Sequence, residues 1–301
     1  MLDTLPVRGY DTARMTNPSR TYARVAIVGP GLVGGAMGIA LRARKLAREV
    51  VGIGRRESSL EEAVRVGAID RGTLDLAGGV AGAEVVTFAT PADLVAPLAE
   101  EAAPHLAEGA LVTDLASAKA RLVPLVERAV AARARFVGSH PLAGSEKKGA
   151  SHAPGVRLEG ALCLVTPTEA TEASAVEEVE ALWHAIGMRV ARLSPAEHDA
   201  RLARTSHVPH MAAAGLSALL ESGDGAYAAA GFRDATRIAA GDARVWSAIS
   251  MENADEIVKN LRGLSIDLMG LAHLIEEGEA DQIRLYLEKA AERRAREIGG
   301  G

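Results

Sequence analysis

Short apolar runs recur along the first two thirds of the chain, at 25–28, 50–53, 85–89, 110–112, 136–137, 161–165 and 190–193. They are too short for helices and nearly free of polar residues, the pattern of strands buried on both faces. Between most of them lie stretches of helical periodicity, among them 33–43, 92–106, 118–131 and 171–186. Strands alternating with helices predict a parallel sheet covered by helices on both sides. After Ser194-Pro195 the pattern changes. From 196 to 297 there is no convincing strand, only Ala- and Leu-rich helical segments broken by Gly223, Gly225, Gly231, Gly241 and Gly278. The predicted organisation is a disordered lead-in over 1–20, an α/β domain over 21–195 and an all-α domain over 196–301.

Composition adds exclusions. A net charge of -5 with 24% charged residues gives no electrostatic footprint for nucleic acid. The longest uncharged run, 25–41, holds five glycines and Pro30 and is too short to span a membrane. The first 20 residues lack the apolar core of a secretory signal. Cys163 stands alone in an apolar run, which excludes disulfides and thiolate clusters and is compatible with a reducing cytoplasm.

The first chemical motif is Gly29-Pro30-Gly31-Leu32-Val33-Gly34, which follows a predicted strand and opens a predicted helix. In that setting the first glycine permits the tight turn, the second lets backbone approach a pyrophosphate, and the third lets helix pack on strand. A dinucleotide site is expected there, with Gly29, Gly31, Leu32, Val33, Gly34 and Thr90 as its contacts. The acid that would bind the ribose 2′-hydroxyl of the unphosphorylated cofactor is missing. Arg55 and Arg56 stand in its place, a charge reversal that predicts NADP over NAD, although Glu57 could still reach the ribose.

Two further constellations end predicted strands on the same side. In Thr113-Asp114-Leu115-Ala116-Ser117-Ala118-Lys119, Ser117 is read either as the N-cap of the following helix or as a hydrogen-bond partner of the crevice. In Gly138-Ser139-His140-Pro141-Leu142-Ala143-Gly144-Ser145-Glu146-Lys147, His140 lies between a short strand and a glycine-rich loop. Ligands bind beyond the carboxyl ends of strands in open α/β sheets, so His140 is expected to face one. A hydrogen bond between Ser117 and His140 is the sharper expectation. Ser206-His207-Val208-Pro209-His210, with His198 and Asp199 upstream, invites a metal reading, but no third ligand follows at convincing spacing and no metal is expected.

Taken together with Asp234-Ala235-Thr236-Arg237-Ile238-Ala239, these segments resemble the prephenate/arogenate dehydrogenase family of tyrosine biosynthesis, in order and spacing along nearly the whole chain. The resemblance implies a Rossmann-type dinucleotide-binding domain followed by an all-α dimerisation domain, a homodimer, and a substrate that is prephenate or arogenate. It implies oxidation of a cyclohexadienol: hydride passes to nicotinamide, carbon dioxide leaves and the ring becomes aromatic. His140 is carried over as the general base, Ser117 as the group that orients the same hydroxyl or the imidazole, and Arg237 as the binder of the ring carboxylate. His207 would line the substrate pocket, and Glu146 would join an ionic network at its entrance. His210 and Trp246 are expected to be helix packing near the pocket. An imidazole of ordinary basicity predicts a rate that rises with pH through a pKa near 6.5 (about the unperturbed value). Two rivals are a β-hydroxyacid dehydrogenase, which would need Lys259 followed by Asn260 as its catalytic pair, and a cofactor-sensing protein without catalysis.

Overall fold

The computed structural model describes residues 20–299, so the expected lead-in lies outside the described residues apart from Arg20. Strands β1 (Tyr22–Val28), β2 (Ala47–Ile53), β3 (Arg71–Thr73), β4 (Val85–Phe88), β5 (Ala110–Asp114), β6 (Ala134–Pro141), β7 (Leu162–Thr166) and β8 (Arg189–Arg192) form one sheet. Their spatial order is β3-β2-β1-β4-β5-β6-β7-β8. The chain winds outward from β1 in one direction and from β4 in the other. The switch point between β1 and β4 therefore opens a crevice at their carboxyl ends, where open sheets of this kind bind ligands.

Helices α1 (Leu32–Ala43), α2 (Glu57–Arg65), α3 (Leu76–Val80), α4 (Ala92–Ala102), α5 (Leu122–Val130) and α6 (Ala173–Ile186) cover the sheet. Alternation along the strands sorts the core. Val25 and Ile27 face Met37, Leu41 and Trp183 beneath α1, α2 and α6, whereas Ala26 and Val28 face Val95, Val123 and Val126 beneath α3, α4 and α5. Each large side chain buried this way contributes about 1.5–3 kcal/mol. β3 and helices α2 and α3 were not legible as apolar runs: β3 is three residues long and exposed at Arg71 and Gly72.

β6 departs most from the expected pattern. Its first half pairs parallel with β5, from Ala110↔Ala134 to Thr113↔Val137. Its second half pairs antiparallel with β7, from Gly138↔Thr166 to Pro141↔Cys163. The chain enters β7 from the same end at which it leaves β6, and Leu142 N–H donates to the Leu162 carbonyl at 2.7 Å. The sheet is thus mixed rather than wholly parallel. The strand expected to stop at Val137 runs on to Pro141, because β7 supplies the partner that β5 no longer does.

Helices α7 (Pro195–Leu202), α8 (Val208–Ala218), α9 (Ala230–Thr236) and α10 (Ala243–Glu252) follow β8. Ser194 caps α7: it accepts from the Glu197 N–H while the Glu197 carboxylate accepts from Ser194 N–H, and Pro195 occupies the first turn. By packing, these helices belong with the sheet in one compact unit that ends at Ala254, and a second unit begins at Asp255. That second unit comprises nearly all of α11 (Ala254–Glu276) together with α12 (Ala280–Ile298), joined at Gly278 with φ +72. It exposes Ile266, Leu268, Met269, Ile275, Leu285 and Leu287.

Candidate active site

The turn between β1 and α1 is built by glycine sterics. Gly29 has φ +88, and a Cβ there would sit 2.9 Å from the Ala89 carbonyl oxygen. At Gly34 a Cβ would lie 2.6 Å from the Gly29 carbonyl oxygen. Gly31 differs: the space its Cβ would fill is open, with nothing nearer than 4.0 Å. Leu32 and Val33 begin α1, whose first turn carries no acidic residue to repel an anion. Across the switch point, the buried hydroxyl of Thr90 has no hydrogen-bond partner. Open space at a helix N-terminus beside an unspent buried hydroxyl fits a bound dinucleotide. Arg55 and Arg56 follow β2, are exposed, and take part in none of the ion pairs among the described residues.

His140 sits on the extension of β6, buried with 8% of its surface exposed. Its Nδ1 lies 2.9 Å from Nε2 of His198, and Nδ1 of His198 lies 2.8 Å from Oδ1 of Asp199. Asp199 also accepts the backbone N–H groups of Lys119 and Ala120, each at 2.8 Å. Burial, then the neighbouring His198, Lys119 and His207, hold the His140 pKa well below 6.5. His198 is depressed likewise, by burial first and then by Lys119 and His207. Both rings are therefore neutral at neutral pH, and the rise near 6.5 expected from an ordinary imidazole gives way to a lower one.

The loop after β5 is held from within. Lys119 Nζ donates to Asp114 Oδ2, and both side chains are fully buried. Asp114 also accepts from Ala116 N–H at 2.9 Å and Ser139 N–H at 3.2 Å, while Ser139 Oγ donates to the Asp114 carbonyl at 2.7 Å. Two of its amides are held by Asp199, and the first helical backbone bond of the segment runs from Val123 N–H to the Lys119 carbonyl at 2.9 Å. The helix starts at Leu122, and its N-cap position is Arg121 rather than Ser117. Nor is there a hydrogen bond between Ser117 and His140 among the described residues, since His198 occupies the ring nitrogen that has a protein partner. Ser117 is half-buried on this clamped loop.

The helical segment supplies the opposite wall. One π-helical turn, Ala203–His207, precedes α8, a geometry that often marks functional positions. His207 is fully buried rather than facing open space. Its Nδ1 lies 3.1 Å from Asn253 Nδ2, and its Nε2 has no hydrogen-bond partner. Burial lowers its pKa to about 4, against the opposing pull of Asp199 and the Ser117 carbonyl. His210 stacks on Trp246 at 3.5 Å between ring centroids, and His207 meets the same indole edge-on at 6.2 Å. Arg237 Nη1 donates to Glu146 Oε2 at 3.1 Å, so the loop after β6 is tied to the end of α9. The Arg237 side chain is 63% exposed. Such a pair is worth at most about 1 kcal/mol and exchanges readily for another anion.

Ser117 follows β5, His140 is the penultimate residue of β6, Glu146 lies on the loop after it and Arg237 closes α9; the hydrogen bonds of His198, Asp199 and Asn253 escaped sequence reasoning. The first two had been considered only as metal ligands, and no cluster fit for a metal occurs among the described residues. The capping box at Ser194 and Glu197 sets them in the first turns of α7 but carries no sign of the direction they face. Lys259, the catalytic lysine of a β-hydroxyacid dehydrogenase reading, is 70% exposed and paired with Glu256 three residues earlier. No described helix is long and apolar enough to cross a membrane.

A glycine-lined helix start at the switch point of a doubly wound sheet is the architecture of a nicotinamide-dependent dehydrogenase. Residues 37–192 match the family model for the prephenate dehydrogenase nucleotide-binding domain, and residues 194–289 match that for the prephenate dehydrogenase dimerization domain. The prephenate dehydrogenase of Bacillus subtilis (strain 168) is 30% identical over 277 residues, which cover 90% of this chain and 75% of that protein. The crystal structure of prephenate dehydrogenase from A. aeolicus in complex with hydroxyphenyl propionate and NAD+ is similar with a TM-score of 0.83 at 29% identity, covering 93% of this chain and 99% of that one. Synechocystis arogenate dehydrogenase is similar with a TM-score of 0.73 at 27% identity, covering 91% and 99%. The chain belongs to the prephenate dehydrogenase family.

Proposed function

We propose that this protein oxidises prephenate to 4-hydroxyphenylpyruvate with loss of carbon dioxide, using a nicotinamide dinucleotide, with arogenate oxidation to tyrosine as the second reading. The observation that carries the proposal is the buried, neutral His140, whose Nδ1 is taken by His198. Its other ring nitrogen is left to accept a substrate hydroxyl proton. The cofactor, when bound, supplies the acceptor for the hydride of the carbinol carbon. As that hydride leaves, carbonyl character builds on the ring oxygen, and His140 removes the proton whose charge would otherwise oppose it. Ser117, on its clamped loop, orients the hydroxyl. Arg237 exchanges Glu146 for the ring carboxylate, where its planar fork makes two charge-assisted bonds. Aromatisation then drives decarboxylation, with no metal needed. The keto-side-chain and amino-side-chain substrates are separated by assaying each with each cofactor; turnover of neither overturns the reading.

Gly29, Gly31, Leu32, Val33, Gly34 and Thr90 would hold the dinucleotide, and Arg55 and Arg56 favour the 2′-phosphate of NADP. A KM for NADP below that for NAD is expected, and an Arg55→Ala, Arg56→Ala double variant should lose that preference. A KM lower for NAD in the unaltered enzyme contradicts this assignment. The reading includes a homodimer built through the helical segment, for which the exposed apolar residues of α11 and α12 are suited, and a cytoplasmic setting compatible with the single thiol of Cys163.

Two kinetic expectations follow from the site. Arg237→Gln should raise KM for the cyclohexadienol by about 10- to 100-fold, the worth of hydrogen bonds to a charged group, with a smaller change in kcat. An unmoved KM would mean that the carboxylate is held elsewhere. Because kcat/KM reports the free enzyme, it should stay level through neutrality and fall only well below pH 6.5, where His140 at last takes a proton. An acid limb at or above 6.5 contradicts the depressed pKa.

A further inference from the structure

We infer that Asp199 is a positioning residue for this reaction: one carboxylate clamps the loop that carries Ser117 and, through His198, dictates which nitrogen of His140 is left bare. The inference rests on the reading of His140 as general base. Asp199 is 1% exposed, so what its oxygens accept comes from the protein. Oδ1 takes the Lys119 N–H and faces His198 Nδ1, while Oδ2 takes the Ala120 N–H.

The direction of the chain follows from donor and acceptor bookkeeping alone. Burial raises the Asp199 carboxyl, but the Ala120 and Lys119 amides on its two oxygens and the Lys119 charge favour the anion; an ionised carboxylate only accepts, so His198 must carry its proton on Nδ1. Its Nε2 is then a lone pair, which requires the proton of His140 to sit on Nδ1, 2.9 Å away. The remaining nitrogen of His140, Nε2, is bare and can act as a base. The opposite arrangement would set a bare His198 Nδ1 against a carboxylate oxygen at 2.8 Å, two lone pairs in contact. The tautomer thereby imposed on His140 is the less favoured one of free histidine. When His140 accepts the hydroxyl proton on Nε2, its Nδ1 proton can pass to His198, leaving an imidazolium beside the Asp199 anion and a neutral His140.

The same residue fixes the second arm of the site. The segment between Asp114 and Lys119 is closed by their buried pair, and its exit is held by the two amides on Asp199. Asn253 braces the arrangement from α10's end: its Nδ2 donates to the Asp199 carbonyl at 2.9 Å and lies 3.1 Å from His207 Nδ1. Among the described residues, the charged and titratable groups around His140 are His198 and, through it, Asp199 from α7, Lys119 from the loop after β5, His207 from the π-helical turn, and the Cys163 thiol of β7, which meets the His140 backbone.

The test has a spectroscopic arm and a kinetic one. In 15N-histidine-labelled enzyme without substrate, the ring signals lost in His140→Asn should be those of a neutral Nδ1–H tautomer. An Nε2–H pattern for His140 overturns the proposal whether or not the enzyme turns over prephenate, so this arm fails separately from the functional reading. In the kinetic arm, Asp199→Asn can serve only one of its two roles. With its amide oxygen toward His198, Ala120 N–H loses its acceptor; with its amide nitrogen toward His198, the tautomer reverses. Either lowers kcat, by about 10²- to 10⁴-fold in analogy with loss of the orienting carboxylate from other catalytic histidines, while KM for the dinucleotide changes little. His198→Gln, which keeps an oxygen able to accept from His140, should retain at least about tenfold more kcat than His198→Leu, the worth of one hydrogen bond to a reacting group. Unchanged kcat in Asp199→Asn, or equal kcat in the two folded His198 variants, overturns it.

Discussion

His140→Asn is expected to lose about 10²- to 10⁴-fold in kcat, the range that positioned general-base catalysis supplies, while binding the dinucleotide as before. Asparagine keeps roughly the size of the ring and can still hydrogen-bond a hydroxyl, but it cannot carry away a proton at neutral pH. The residues proposed to hold the cofactor lie at the start of α1 and after β2 and β4, on other strands, so the substitution should leave them undisturbed. Steady-state rates, with cofactor affinity from the quenching of protein fluorescence, separate the two effects. A variant with near wild-type kcat would remove His140 from the chemistry. One that loses cofactor affinity as well would show that the substitution disturbs more than the base.

Lys119→Met should cost about 3–5 kcal/mol of stability, the penalty for leaving one member of a buried pair without its partner. Lys119 and Asp114 are both fully buried, and burial pushes each toward its neutral form, raising the carboxyl and lowering the ammonium. Their mutual attraction and the amides of Ala116 and Ser139 oppose that push. Without the ammonium, Asp114 must either stay charged in an apolar interior or take a proton and lose the amide bonds that favour its anion. A loss of that size corresponds to a fall in Tm on the order of 10 °C for a unit of this length. Adding Asp114→Asn should restore part of the loss, because an amide costs less to bury than a lone carboxylate. Denaturant midpoints measure both, and a single-variant loss below about 1 kcal/mol would mean that water reaches the pair.

The doubly wound half of the molecule was readable because its signals are local. Apolar runs of strand length, glycines spaced as Gly29, Gly31 and Gly34, and the arginines after β2 each announce themselves within a few residues. What escaped depends on partners distant in sequence. β6 runs past Val137 only because β7 returns beside it, and no window around His140 contains β7. The loop before the helix after β5 is tied to Asp199, 80 residues beyond Lys119, and no window around Ser117 contains that carboxylate. His198 looked like half of a metal site for the same reason: its two partners, His140 and Asp199, form a line rather than a cage. The family motifs pointed to Ser117, His140 and Arg237, yet they carried no trace of the chain from Asp199 to His140, which exists only once α7 lies against β6.

The most direct test of the proposed function follows reduced nicotinamide and released carbon dioxide together, with purified protein, prephenate and saturating NADP or NAD. Equal amounts of the two products, with both rates falling together in His140→Asn, are predicted. Reduced cofactor without carbon dioxide, or no turnover of prephenate or arogenate by the unaltered enzyme, would contradict the oxidative decarboxylation.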